Sequence, residues 1–471
     1  MNANPAHQRN VSNSGYVCRR LTTVPDLTAL HIRNPQRYPH LLASVTRDAP
    51  RARYDILFAF PGDTLTLGAD LGIYRNGRLF GPGDFLEVFD REWRAQSIAA
   101  GDNVVPSMEP PPFTGGWFVF LGYELVSQIE PTVAGIRPDA AFPVACATRF
   151  PAAIIIDHAL PQALLVCESE RVSDLLPMLE DDVQHQTTLN AEALAVTSIH
   201  EDEPTRFLAD VRRVQEYIRA GDVFQVNLSR LWRISLHTVT STMDLYRRLC
   251  TANPAPFAGM MTWDNDRAVI SSSPERLVEV RGREVRTRPI AGTYPRSRDP
   301  DQDRALSRDL LRHPKERAEH VMLIDLERSD LGRVCRTGSV QVKELMALES
   351  YRHVHHIVSE ITGELREEVT PAQVIRAVFP GGTITGCPKV RCMQIIAELE
   401  QAPRMAYTGS MGYINRDGSL DLNILIRTLV QNGSELSLRA GAGIVADSIP
   451  ERELAETRAK AKGMLAALGA L

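Results

Sequence analysis

Near the C-terminus Glu453, Glu456 and Lys460 are spaced i, i+3, i+7, so on a helix they share one face. Two carboxylates there could hold a hard cation such as Mg²⁺, which takes oxygen ligands and keeps waters, with the ammonium meeting an anion beside it. A solvated surface with a Glu–Lys pair is the commoner meaning of such spacing. Glu319, in Arg317-Ala-Glu-His320, could be a third ligand or an ordinary exposed helix glutamate. Glu275, in Ser273-Pro-Glu-Arg276, stands just ahead of a strand, where burial would raise its pKa and let it protonate a leaving group. Arg427, in Ile426-Arg-Thr428, wants a carboxylate that its planar fork can grip twice, and Tyr413 could assist. His356 lies in His353-Val-His-His356, a run without flanking acidic or cysteine ligands. It reads as a satisfied core histidine or one that hydrogen-bonds a ligand.

Three stretches offer backbone rather than side chains. Pro380–Lys389 is a glycine-rich loop feeding a helix N-terminus, a natural place for an anion, or simply a helix cap with turn glycines. It is no P-loop, because Cys387 stands where that motif needs lysine. Ala440-Gly-Ala-Gly-Ile444 presents bare N–H groups that could hold a carboxylate. Arg286–Arg296 follows a hairpin about Gly282 and reads as a strand running out into a stiff, cationic loop, with Pro289 and Pro295 fixing its backbone. At its centre sits Ala291, which can do no chemistry.

The elements that must position these residues follow from periodicity. Short β-rich runs between Cys18 and Glu170, among them Ile56–Phe60, Gly116–Gly122 and Ala152–Ile156, make residues 17–170 a strand-rich N-terminal region. Residues 171–204 turn acidic and polar and read as a linker or excursion. Residues 205–471 open on a helix with Phe207, Val211, Val214 and Ile218 on one face, followed by a half-buried strand through Phe224, Val226 and Leu228. Helices are predicted after Pro314, Pro371 and Pro388, and a capping box, Ser448-Ile-Pro-Glu451, predicts the start of the last one. Leu420, Leu422, Ile424, Ile426 and Thr428 alternate as one long strand, paired through Asn432-Gly433 with Leu436–Ala440. Strands and helices intermix without a strict βαβ repeat, which predicts an α+β fold of large antiparallel sheets covered by helices.

Bulk composition excludes several classes. A chain of 471 residues needs two domains or one large composite fold. With 53 basic and 58 acidic residues the net charge is -5, which is no footprint for nucleic acid. No apolar run approaches the roughly 18 residues that would span a bilayer, so no membrane partner is expected. The seven cysteines are dispersed, as expected of reduced thiols in a cytoplasmic protein.

Taken together these segments resemble the chorismate-utilising enzymes. The resemblance covers nearly all of residues 205–471 and rests on Gly221–Ser229, Ser273–Arg276, Thr287–Thr293, Asp325–Arg333, His355–Ser359, Gly386–Arg391, Ile426–Thr428 and Gly441–Asp447. It implies a sandwich of two large antiparallel sheets with the N-terminal region interleaved, which moves the expectation from two domains to one composite fold. Carried over by position, Glu319 and Glu456 would bind Mg²⁺ with Glu453 nearby. The ion and the Gly441–Gly443 backbone would take the ring carboxylate of chorismate. Arg427, Tyr413 and Lys460 would hold its enolpyruvyl carboxylate. Glu275 would be the acid that lets the C4 hydroxyl leave, with His356 and Thr383 at the substrate.

The resemblance also bears on the nucleophile. Members that use water carry a lysine base where Gln225 stands, so Gln225 implies ammonia, delivered by a separate glutaminase (amidotransferase) subunit. Amination at C4 gives 4-amino-4-deoxychorismate, the precursor of p-aminobenzoate and folate; amination at C2 leads to anthranilate, for tryptophan. The best-known C4 enzymes carry a covalent lysine where Ala291 stands, and here Ala291 is as in the anthranilate enzymes. Phe224–Leu228, Pro380–Lys389, Tyr407–Tyr413 and Leu420–Thr428 resemble the C4 enzymes instead. The expectation is therefore a C4-aminating large subunit that lacks the covalent lysine. A silent chorismate-binding regulatory subunit is a further alternative. Tyr38–Ser44 resembles an element of the tryptophan pocket of anthranilate synthases, with Ala43 in place of an acidic residue, which weakens the expectation of tryptophan feedback.

Overall fold

The computed structural model describes residues 10–12, 15–46, 53–98, 110–185, 194–350 and 354–469. Two antiparallel sheets of thirteen and twelve strands dominate it. Their facing sides pack through Phe58, Phe118, Phe120, Met261, Met411 and Val430. Helices cover the outer faces. Leu245 and Leu249 of Thr242–Ala252, with Ala461 and Met464 of Pro450–Ala467, pack on the first sheet. Val374 and Val378 of Pro371–Val378 share a core with residues of the second, and Lys389–Glu400, with Met393 and Ile396 buried, lies against Gln225–Leu236 of the first. The expected α+β sandwich is what forms, because alternating strands of this length need both faces covered.

The two halves of the chain share both sheets. His40–Ala43 and Tyr54–Ala59 enter the first sheet beside Phe257–Thr262, and Gly116–Leu121 enters the second beside Ser410–Asn415. The segment expected as a linker carries structure as well. Val172–Gln184 is a helix whose Leu175, Leu176 and Leu179 are buried, and Val196–Glu201 is an edge strand on Gln225–Leu236. Its acids are largely paired, Glu180 with Arg19, the buried Asp182 with Arg37 and Tyr38, and Glu201 with Arg230, so they mark folded contacts rather than absence of fold; residues 186–193 lie outside the described residues.

Three local expectations change. The alternation from Leu420 to Thr428 is not one strand. Leu420–Asn423 belongs to the second sheet and Thr428–Asn432 to the first, with the chain crossing between them. Alternation looks the same whether a strand continues or changes sheet, so the pattern could not reveal the crossing. The stiff cationic loop is also largely strand: Ile290–Pro295 pairs with Val354–Glu364, and a bulge falls between Ala291 and Thr293. Gly292 supplies the positive φ of 67° that the bulge requires. Finally, Ser448 does not cap the last helix. Pro450 takes the first helical position, Ile449 becomes the cap, and the Ser448 hydroxyl accepts the Val445 amide instead.

Candidate active site

The site forms where the chain passes twice between the sheets. Arg267–Ser273 lies in the first sheet and Arg276–Arg281 in the second, so Glu275 sits on one crossing. Residues 424–427 make the return crossing and carry Arg427. The crossings run side by side: the Ile424 amide donates to the Glu275 carbonyl (3.0 Å) and the Ser272 amide to the Arg427 carbonyl (3.1 Å). Arg427 takes the left-handed backbone, φ 52°, to make this turn. An acid and a guanidinium far apart in sequence thus meet between two stiff sheets.

Their electrostatics follow from burial. Glu275 is 6% exposed, and its Oε1 has no hydrogen-bond partner among the described residues. Burial pushes its carboxyl up to about 7, against the opposing pull of Thr383, the Ile290 backbone, Lys460 and Arg427. Arg427 is lowered by burial and sustained chiefly by Glu275. Its side-chain hydrogen bond goes to Asn253 at 3.4 Å, and among the described residues it makes no ion pair. A buried guanidinium without a carboxylate is costly unless an anion joins it.

Other residues gather around this pair. His356, on Val354–Glu364, is buried; desolvation and then the nearby Arg427 lower it to about 4, so it is neutral at pH 7. Thr383 sits in a 3₁₀ turn, Gly382–Ile384, with its hydroxyl buried and without a hydrogen-bond partner among the described residues. Lys460 donates to the Gly441 carbonyl (3.0 Å) and pairs with Glu456 (2.8 Å). Gly441 and Gly443 lie on Glu435–Ile444, opposite Ser229 and Asn227. A Cβ on Gly443 would fall 2.2 Å from Gln225 Nε2, so only glycine allows the amide to lie there. That amide donates to Glu319 Oε1 at 2.8 Å. Ala291 is 7% exposed on its strand, next to Ile290, whose backbone contacts the Glu275 carboxyl.

The acidic residues form one electrostatic group. Glu319 is raised first by burial and then by Glu316 and Glu456; Gln225 and Lys315 oppose this. Glu453 is raised by burial and by Glu456, against Ser448, Lys315 and Lys460. Among the described residues no three His, Cys, Asp or Glu side chains are grouped tightly enough to hold a metal by themselves. Mg²⁺ needs no such cage, and these mutually repelling carboxylates are the oxygen donors it accepts. Glu319 and Glu456, with Glu453 and Glu316 beside them, therefore fit the ion.

One expected member lies elsewhere. Tyr413, on Ser410–Asn415, turns its ring between the sheets, and its hydroxyl accepts from Arg281 at 3.2 Å. It lines a separate cavity of about 600 Å³ with Ala43, Ser44, Phe257 and Met411. The tyrosine near the glycine strand is Tyr407, whose hydroxyl lies 2.5 Å from where a Gly441 Cβ would stand. Both tyrosines occur in one motif, and only the side to which each projects separates them. The arginines of 286–296 face acids: Arg286 meets Glu279 and Glu284, Arg288 meets Glu344, Glu349 and Glu360, and Arg296 meets Asp303. They hold the strand in place and leave no free cationic surface there. His355 bridges Ser350 and Asp303 rather than a metal, and His353 lies outside the described residues.

Residues 74–466 match the family model described as chorismate binding enzyme. An anthranilate synthase component I-like protein of Synechocystis is 42% identical over 363 residues, covering 76% of this chain and 74% of that protein. Aminodeoxychorismate synthase component 1 of Bacillus subtilis is 38% identical over 403 residues, covering 83% of each. The crystal structure of anthranilate synthase component I from Streptococcus pneumoniae superposes with a TM-score of 0.76 at 31% identity, covering 88% of this chain and 92% of that one.

Proposed function

The chain belongs to the chorismate binding enzymes, and from that premise we propose that it is the large subunit of an aminodeoxychorismate synthase, converting chorismate and ammonia to 4-amino-4-deoxychorismate. That it is a chorismate-utilising enzyme follows from the family; the product is our reading. The C4 product rests on the resemblance of Phe224–Leu228, Pro380–Lys389, Tyr407–Tyr413 and Leu420–Thr428 to the C4 enzymes. The observation that carries chorismate chemistry at this site is Arg427, buried without an ion pair among the described residues, beside an acid that keeps much of its proton near neutrality. A dicarboxylate with an allylic hydroxyl needs both groups: a guanidinium for a carboxylate and a proton for the departing oxygen.

In this reading Arg427, Lys460 and Tyr407 hold the enolpyruvyl carboxylate, and the Gly441–Gly443 backbone meets the ring carboxylate. Glu319 and Glu456 would hold Mg²⁺, which when bound supplies positive charge for that ring carboxylate. Glu275 protonates the C4 hydroxyl. Gln225 is not a base, and its amide is engaged by Glu319, so no side chain at that position activates water. Ammonia from a glutaminase partner then adds at C4. Ala291 offers no amine, so ammonia attacks directly.

Ala291, together with the anthranilate synthase relatives, supports a second reading, amination at C2 to anthranilate. One assay separates the two. The protein is incubated with chorismate, Mg²⁺ and an ammonium salt. p-Aminobenzoate formed only after a lyase is added supports the proposal; fluorescent anthranilate as the main product refutes it. Ala291→Lys should raise or redirect flux toward the C4 product, and an unaltered product and rate would show that the position does not control the route.

A further inference from the structure

A second buried acid lies behind Glu275. Glu327, on the helix Pro314–Gly332, is 5% exposed. The Gly381-Gly382 turn lies between Glu327 and the segments that flank Glu275 on the two crossings. A Cβ on Gly382 would lie 2.3 Å from Leu326 and 3.6 Å from Glu327 Oε1, while one on Gly381 would lie 2.9 Å from Ile424 and 3.3 Å from Leu277. Each acid has a threonine against it, Thr383 beside Glu275 and Thr287 beside Glu327. Glu275 Oε1, Thr383 Oγ1 and Thr287 Oγ1 are all buried and without a formed hydrogen bond among the described residues. Buried oxygens are normally paired, so unpaired ones beside two buried acids call for an explanation.

We propose that Glu327 supplies protons to Glu275 through Thr287 and Thr383, acting through that acid and not touching the substrate. The inference rests on the role given to Glu275 above. The reaction R–OH + NH₃ + H⁺ → R–NH₃⁺ + H₂O consumes one proton per turnover. The C4–O bond breaks as Glu275 transfers its proton to the oxygen, which leaves as water. The ammonia lone pair forms the C4–N bond, and the new ammonium keeps its protons. Glu275 is left ionised and must regain a proton before the next turnover; Glu327 passes its own to it and is in turn reprotonated from solvent, the net source of the proton consumed. Glu327 can take this part because it still carries a proton at neutral pH: burial first, then Asp330 on its own helix and Glu275 across the turn, raise its carboxyl to about 8. Lys389, whose ammonium is committed to Asp330 and the Val378 carbonyl, and Thr287 oppose that rise.

The test is rapid-quench kinetics on Glu327→Gln with chorismate, Mg²⁺ and ammonium. The first turnover should occur at the wild-type rate, because Glu275 enters protonated. Later turnovers should slow about tenfold or more, with KM for chorismate within about twofold and a kcat that falls steadily as pH rises. Thr287→Val, which cuts the relay without touching either acid, should show the same burst and slow phase, and Glu327→Asp should recover part of the rate. An unchanged steady state in Glu327→Gln, or equal loss of the first and later turnovers, would overturn the relay. Glu275→Gln separates this from the underlying reading. If it turns over normally the role of Glu275 fails, whereas a silent Glu275→Gln beside a normal Glu327→Gln sinks the relay alone.

Discussion

Replacing Glu275 by glutamine should abolish turnover and at the same time stabilise the ligand-free protein in alkaline conditions. The stability effect follows from the carboxyl's displacement from its ordinary 4.5 to about 7, caused chiefly by burial. The sign is that of a raised pKa: the folded state holds the proton more tightly than the unfolded one, so the fold loses stability as pH rises from 4.5 through 7. At about 1.4 kcal/mol per pH unit the loss is about 1 kcal/mol at pH 5.5 and about 3 kcal/mol above pH 8. Glutamine keeps the shape and never ionises, so it removes that loss. For a 471-residue chain, at about 2 cal/mol/K per residue, 3 kcal/mol corresponds to about 3 °C in Tm. Thermal scans of both proteins at pH 5.5 and 8.5, with turnover and chorismate titrations on the same samples, supply the comparison. The variant should gain more Tm at pH 8.5 than at 5.5, bind chorismate, and form no product. A variant that is less stable at pH 8.5, or equally shifted at both values, would show that Glu275 is not a strained buried acid. Near-normal turnover would show that it is not the proton donor.

Arg427→Met should raise KM for chorismate by about two orders of magnitude, since a buried charged partner of a carboxylate contributes roughly 3 kcal/mol, and Arg427→Lys should recover only part of this; an unchanged KM would remove Arg427 from the site. Tyr407→Phe should raise KM for chorismate severalfold, whereas Tyr413→Phe should leave it unchanged; the opposite pattern would return Tyr413 to the substrate. Gly443→Ala would drive a methyl into the Gln225 amide and break its bond to Glu319, so activity should fall about tenfold and more Mg²⁺ should be needed, as read by metal titration; normal kinetics would show that the amide has room to move.

Pattern and spacing in the chain determine most element types and the large antiparallel sheets, because periodicity is a local property; the sandwich and the family come from the resemblance of its motifs to known ones. Glu275, Arg427, Lys460 and the glycines of 441–443 were visible for the same reason: each lies in a short motif whose chemistry is stated by its own residue types. Only the tertiary structure decides which motifs meet. It shows that residues 420–428 pass from one sheet to the other and so bring Arg427 beside Glu275. It separates Tyr407 from Tyr413, which no period could do, since the two differ in which side of the sandwich they enter. It sets the arginines of 286–296 against acids, some from their own neighbourhood and some, such as Glu349 beside Arg288, from distant segments. It also places Glu327 and Thr287 behind the acid, although their motif spacing carries no such signal. Burial raises a carboxyl or strands a guanidinium only where distant segments exclude water together, and that exclusion belongs to the packed sheets and helices, not to any one stretch of sequence.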